Sequence, residues 1–274
     1  MNYLTIYFKI IALRFMGAAQ YKLDFVIGVS GLVLQQIVVL LTVAIVFAGV
    51  DSLAGFSLYE ILFILGLSQI IRGIDLAYND YVWVEAFGGF SQGSLYSYMT
   101  RPLPVYLQIM SQRLNIQSTG PILIGSLILA TAMRELKMDW GLIDYVLLGF
   151  FIGCGLVILF SVKLLCAVIA LFFGRSGELM QVVHEFVEFI RYPLTIYGVV
   201  IQGLLLTIIP FGMLSFVPSL YWFVDQPLPL IGQLEWLSRT QTLFAYSAGI
   251  TLIFFLISQL LWRKGLRQAG VTGT

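Results

Sequence analysis

Long stretches without a single charged residue constrain this chain more than any other feature. Phe25 to Val50, Leu114 to Met133, Tyr192 to Val224 and Thr240 to Trp262 contain no Asp, Glu, Lys or Arg. A helix rises about 1.5 Å per residue, so about 20 apolar residues cross a hydrocarbon core about 30 Å thick. Several such runs in one chain point to a polytopic membrane protein. The runs are continuous rather than alternating and too long for strands, which excludes a membrane β-barrel. The expected fold is all-α. It has six transmembrane helices, at roughly 25–48, 57–77, 113–133, 145–173, 190–214 and 241–262, an N-terminal interfacial helix within 1–24, and a broken fifth helix. Only 11% of the 274 residues are charged, against about 25% in ordinary globular chains. That leaves no room for a separate soluble domain, so 1–274 is expected to be one transmembrane domain. With a net charge of +1, the chain lacks the electrostatic footprint of a nucleic-acid binder.

Lys and Arg near the span ends set the orientation. With a cytoplasmic N-terminus, Lys9, Arg14, Lys22, Arg101, Arg113, Arg175, Arg263, Lys264 and Arg267 gather inside, against Arg134, Lys137 and Arg239 outside. Both termini are therefore expected in the cytoplasm, in a multi-pass protein of the plasma (bacterial inner) membrane. Lys9, Arg14, Lys22 and Asp24 break up the first 24 residues, so they do not read as a cleavable signal. Leu4, Phe8, Ile11 and Phe15 recur at helical spacing there, the pattern of a helix lying in the interface.

Function must be read from what joins and interrupts the spans. The longest cytoplasmic segment is 80–112. Gly88, Gly89 and Gly93 permit turns, and Pro102 and Pro104 end whatever helix precedes them. Between them lies a short aromatic segment, Leu95 to Met99, followed by Arg101. It reads either as a docking element for a cytoplasmic partner or as a helix in the lipid headgroups. In the fifth span Glu188 and Arg191 stand one turn apart and can pair. Pro210 should break the helix near Ile209, leaving 211–240 as a re-entrant segment and loop. Glu60, Asp75 and Lys163 fall near span ends, where snorkelling to the interface suffices. Gly149-x-x-x-Gly153, with Gly155, allows a close helix approach. Cys154 and Cys166 are separated by twelve residues of one predicted helix; that is about 18 Å, too far for a disulfide. His184, the only histidine, has no Cys or His at ligand spacing and reads as a surface residue. The chain has no G-x-x-x-x-G-K-[ST], H-E-x-x-H or G-x-S-x-G. No catalytic residue, cofactor or metal site is expected in it.

Three patches together resemble the permease subunits of type-2 ATP-binding-cassette (ABC) transporters, in the branch whose permeases often come as pairs. Gly93-Ser-Leu-Tyr-Ser-Tyr-Met-Thr-Arg101-Pro102-Leu103 is similar to that family's cytoplasmic "G-x-L … L-x-R-P-L" loop, with Met99 and Thr100 where leucine is usual. Tyr192-Pro193-Leu-Thr-Ile-Tyr197, continuing to Ile209-Pro210-Phe211 and Phe216-Val-Pro218, resembles its "h-P-x-x-I-Y … I-P-F … P" pattern. Tyr246-Ser-Ala-Gly249 is the third patch. The resemblance implies that Gly93, Leu95, Tyr98, Arg101 and Pro102 belong to a loop that couples to an ATPase. It implies that Pro210, Phe211 and Pro218 form an extracellular helix break. It also implies cytoplasmic ABC ATPase subunits, which would hold the ATP and Mg, and a second permease subunit, identical or paired, in the lipid bilayer. The expected function is ATP-driven export of an amphipathic or hydrophobic substrate by alternating access. The competing readings are an ion-coupled secondary transporter, disfavoured by the scarcity of mid-membrane ionisable residues, and an integral membrane lipid-modifying enzyme.

Overall fold

The computed structural model describes residues 22–90, 93–101, 103–112, 115, 118–173, 176–223 and 240–272. Of the interfacial helix expected over 1–24, residues 1–21 lie outside the described residues, and 22–24 already belong to the first long helix. Pro102, Arg113, Arg175 and Arg239 also lie outside them.

Among the described residues the architecture is helical, without a ladder of strands. The principal helices are α1 (Lys22–Gly49), α2 (Leu58–Tyr78), α3 (Tyr81–Val84, continued by a π-turn over Glu85–Gly89), α4 (Ser94–Met99), α5 (Val105–Met110), α6 (Thr119–Glu135), α7 (Leu142–Phe173) and α8 (Gly177–Val187). After short 3-10 turns at Glu188–Arg191 and Leu194–Ile196 come α9 (Val199–Gly203), a π-turn (Leu204–Ile208), a 3-10 turn (Phe211–Leu214), α10 (Phe216–Leu220) and α11 (Thr240–Thr272).

Among the described residues, four stretches are long and apolar enough to cross a membrane: Val26–Gly49, Leu58–Tyr78, Leu142–Phe173 and Gln241–Gln268. They match the first, second, fourth and sixth expected spans. The third expected span, 113–133, corresponds to the 17-residue α6, about 25 Å long at helical rise. The fifth, 190–214, is a chain of short pieces rather than one helix.

The exterior of the bundle is apolar. Leu34, Val38, Leu41 and Ile45 on α1 are exposed, as are Leu252, Ile253, Leu256 and Leu260 on α11. Exposed apolar surface on this scale is foreign to a monomer in water and fits contact with lipid tails. Gln36 of α1 points inward, and its amide donates to Gln69 of α2 at 2.9 Å.

Backbone contact fixes the tightest helix pair. A Cβ on Gly66 of α2 would stand 2.7 Å from the backbone nitrogen of Leu129, and one on Gly125 of α6 would stand 2.9 Å from the Gly66 carbonyl oxygen. Further along, Gly73 faces Ser118 and Ile122. The pair is therefore antiparallel, and only glycine lets it close so far. On α7, Gly149 and Gly153 meet nothing, while Gly155 lies beneath Ile71 and Leu214. The close approach expected from Gly149-x-x-x-Gly153 is made by Gly155 alone, because the other two glycines face away from the bundle.

The remaining contacts fix the helix directions. Ile71 meets Gly155 and Asp75 meets Lys163, so α2 and α7 run parallel. Phe244 stacks on Phe151 and Gly265 faces Leu171, so α7 and α11 are also parallel. Segments α3–α5 and α8 gather at one end of the bundle, where the Ser176 N–H donates to the Ala86 carbonyl at 2.9 Å and Phe90 packs on Trp262 of α11. The opposite end is aromatic, with Trp140 stacked on Trp222 at 4.9 Å and Phe63 beside Phe223. Such a belt suits a membrane–water boundary.

Candidate functional site

Two features stand out at the end that carries α3–α5 and α8. The first is the 93–101 element. Gly93 takes φ +84°, a left-handed conformation that glycine adopts freely, and so turns the chain sharply into α4. Helical periodicity then splits the six residues of α4 between two faces. Leu95 and Tyr98, one turn apart, are 7% and 4% exposed; Tyr96 and Met99 on the other face are 44% and 42% exposed. Arg101 is also exposed.

A buried carboxylate holds the inner face. Glu85 accepts the Tyr98 hydroxyl at 2.7 Å and the Ser94 hydroxyl at 2.5 Å. Burial first, and the bond to Glu85 next, push the Tyr98 hydroxyl well above its ordinary pKa. The buried amide of Gln108 on α5 donates to the carbonyls of Tyr98 at 2.9 Å and Leu103 at 2.7 Å. Backbone groups that a six-residue helix leaves unpaired are thus satisfied from behind. Neither Glu85 nor Gln108 was singled out by sequence reading. Their signal was a lone carboxylate and a lone amide in otherwise apolar company.

The second feature is a network of buried charges. Lys163 Nζ lies 2.6 Å from Asp75 Oδ2, and Asn79 Nδ2 donates to Asp75 Oδ1 at 2.9 Å. The side chains of Lys163 and Asp75 are only 10% and 7% exposed. Snorkelling, expected for both, is therefore not what they do; each neutralises the other across α2 and α7. Glu60 does sit at a helix end, where its carboxylate accepts the Ser57 N–H at 2.7 Å and hydroxyl at 2.8 Å, closing the start of α2. Glu188 pairs with Arg191 at 2.6 Å, as the spacing predicts, and also with Arg72 of α2.

These charges border a small cavity of about 20 Å³ walled by Arg72, Asp75, Trp83, Lys163, His184 and Phe211, among others. His184 is exposed on one side and so marks the mouth. Partial burial, then the nearby Arg72 and Lys163, hold its imidazole below the ordinary pKa, while Glu188 and Asp80 oppose them.

The helix break expected at Pro210 is present. The π-turn ends at Ile208, and the chain reverses so that Gly212 lies against Leu194 and Leu205. Phe211 through Leu220, Pro218 included, is buried. The break begins deeper than expected, because Phe211 reaches the same cavity as Lys163 and His184. The chain reaches the aromatic end only at Trp222, whose indole N–H donates to Asp144 at 3.2 Å. The structure thus brings Leu95 and Tyr98 together with Glu85 around one turn, and it places Phe211 at a separate centre. Gly93 and Arg101 are exposed beside the first.

Against this geometry, the family model for ABC-2 family transporter protein matches residues 33–273. The chain belongs to the ABC-2 transporter family. Among curated proteins and among solved structures, nothing matches it. The match takes in the long apolar helices, the 93–101 element and the buried charge network together. Membership makes this ABC-2 protein a membrane-embedded permease component of an ABC transporter.

Proposed function

We propose that this chain is the transmembrane subunit of an ABC exporter that moves an amphipathic or hydrophobic substrate by alternating access. Separate cytoplasmic ATPase subunits bind ATP and Mg and supply the energy, and two permease subunits, identical or paired, enclose the path. In this reading α1, α2, α6, α7, the broken 188–223 segment and α11 make six crossings with both termini in the cytoplasm. Support for that count comes from the parallel course of α2, α7 and α11, since each connection between parallel helices needs a return crossing.

The observation that carries the proposal is the two-faced α4. A docking element must transmit force, so it has to be held rigidly from behind and be free in front. Glu85 and Gln108 hold it, while Tyr96, Met99 and Arg101 are left free to engage a groove on the ATPase. Leu95 and Tyr98 shape the element instead of touching the partner. Pro218 and the chain up to Trp222 close the far end of the path in this assignment, with Pro210 and Phe211 as the bend that lets it move.

The test compares two variants in membranes co-expressing the ATPase. Arg101→Glu with Tyr96→Ala should leave the permease folded and inserted but abolish co-purification of the ATPase and permease-dependent ATP hydrolysis. Leu95→Glu should lower the yield of folded permease itself. Normal association by the Arg101/Tyr96 variant refutes the docking assignment.

A further inference from the structure

Two adjacent glutamines sit near the middle of α1 and face opposite ways. Gln36 is buried, and its amide donates to Gln69. Gln35 is exposed, and its side chain bonds to nothing among the described residues. At helical rise it lies about 4 Å from the midpoint of the Val26–Gly49 span. Gln36 confirms that depth, because Gln69 is itself near the middle of α2. Lipid tails offer an amide neither donor nor acceptor, so an amide left among them is costly.

Other outward-facing polar groups make no such demand. The hydroxyls of Thr42 on α1 and of Ser126 and Thr131 on α6 each donate to the carbonyl four residues back. Gln259 on α11 is close in sequence to Trp262, which packs on Phe90 at the α3–α5 end, where water is within reach. The outward face of α11 at Leu252, Ile253 and Leu256 is apolar, and lipid alone suits it. Between two copies of this chain, then, one pairing among the described residues satisfies Gln35. Copies inserted in one orientation and related by a twofold axis along the membrane normal hold residues of equal number at equal depth. Gln35 then meets Gln35, and the two amides, each both donor and acceptor, exchange hydrogen bonds. Gly31, one turn earlier, meets nothing within the chain and lets a second backbone come close. We propose that this face of α1, flanked by Leu34, Val38 and Leu41, docks on the same face of a second copy of the chain, with a Gln35–Gln35 pair at its centre. The contact rests on the transport reading for the common orientation of the two subunits, and it makes those subunits identical.

The test is crosslinking of the full chain in membranes, then self-association in neutral detergent. With a short bifunctional thiosulfonate, Gln35→Cys should give a covalent dimer on a denaturing gel. The wild type, whose Cys154 and Cys166 are buried, and Leu252→Cys on α11 should give none. Gln35→Leu should weaken dimerisation about three- to thirtyfold, the worth of interhelical hydrogen bonds in a membrane, without lowering the unfolding temperature of the monomer. Gln35→Asn, which keeps the amide, should recover part of the affinity. Dimerisation of Gln35→Leu as tight as that of the wild type overturns the proposal, as does a crosslink at Leu252→Cys with none at Gln35→Cys. Labelling of Gln35→Cys by a membrane-impermeant thiol reagent without crosslinking places the residue on a water-filled path and also overturns it. A crosslink that forms only to a different, co-expressed permease overturns the identity of the copies. A Gln35→Cys dimer that recruits no ATPase refutes the transport reading and leaves the α1 contact standing.

Discussion

Removing one partner of the Lys163–Asp75 pair should damage the protein far more than removing both. At 2.6 Å two unit charges attract by roughly 6 kcal/mol at an effective dielectric constant of about 20. Desolvation offsets most of that gain, so the intact pair adds little net stability. Either half alone is another matter. Asp75→Asn leaves a lysine ammonium nine-tenths buried, and Lys163→Met leaves a carboxylate with only Asn79 to satisfy it. Each single change should cost about 3–5 kcal/mol, between about a hundredfold and a few thousandfold in the folding equilibrium. The double variant, a neutral amide opposite a thioether of similar reach, should return to within about 1–2 kcal/mol of the wild type, because no charge is left stranded. Reversible unfolding of the four proteins in mixed micelles measures the cycle. Two single variants that each lose under about 0.5 kcal/mol, with losses that simply add, would mean that water reaches both groups and would refute the reasoning.

Two further outcomes follow from the same geometry. Gly66→Ala places a methyl group 2.7 Å from a backbone nitrogen of α6, so the helices must separate at a cost of about 1–3 kcal/mol; the Gly153→Ala control, which meets open space, should not lower the unfolding midpoint and should raise it slightly, since alanine suits a helix interior better than glycine. His184 has a native pKa below the ordinary 6.5, so the unfolded chain takes up its proton first as pH falls. Stability should therefore decline as pH drops below about 6.5 and level off below the native value, while His184→Gln should flatten that slope; a variant with the wild-type slope would assign it elsewhere.

The long spans were legible because charge is excluded from lipid and its absence can be counted. The bend at Pro210 was legible because proline lacks the N–H a helix needs. The pairing of Asp75 with Lys163 was not, since 88 residues separate them and each taken alone is indistinguishable from a snorkelling end residue. The split of α4 into held and free faces lay within reach, because Leu95 and Tyr98 are one turn apart. Their membership in one motif hid that they serve the fold while Tyr96 and Met99 face outward. Glu85 escaped notice because a buried polar residue is recognised by its partners, and Ser94 and Tyr98 reach it only in three dimensions.

The glycine seam between α2 and α6 has a mechanical consequence. Two rods touching backbone to backbone have no side-chain cushion to shear, so they must travel as one stiff plank. Bending in the bundle is then easiest in the stretch between Glu188 and Leu220, where the longest unbroken helix is the ten residues Val199–Ile208. In the alternating-access reading proposed above, the hinge is thus set by where glycine welds the bundle shut as much as by where proline opens it.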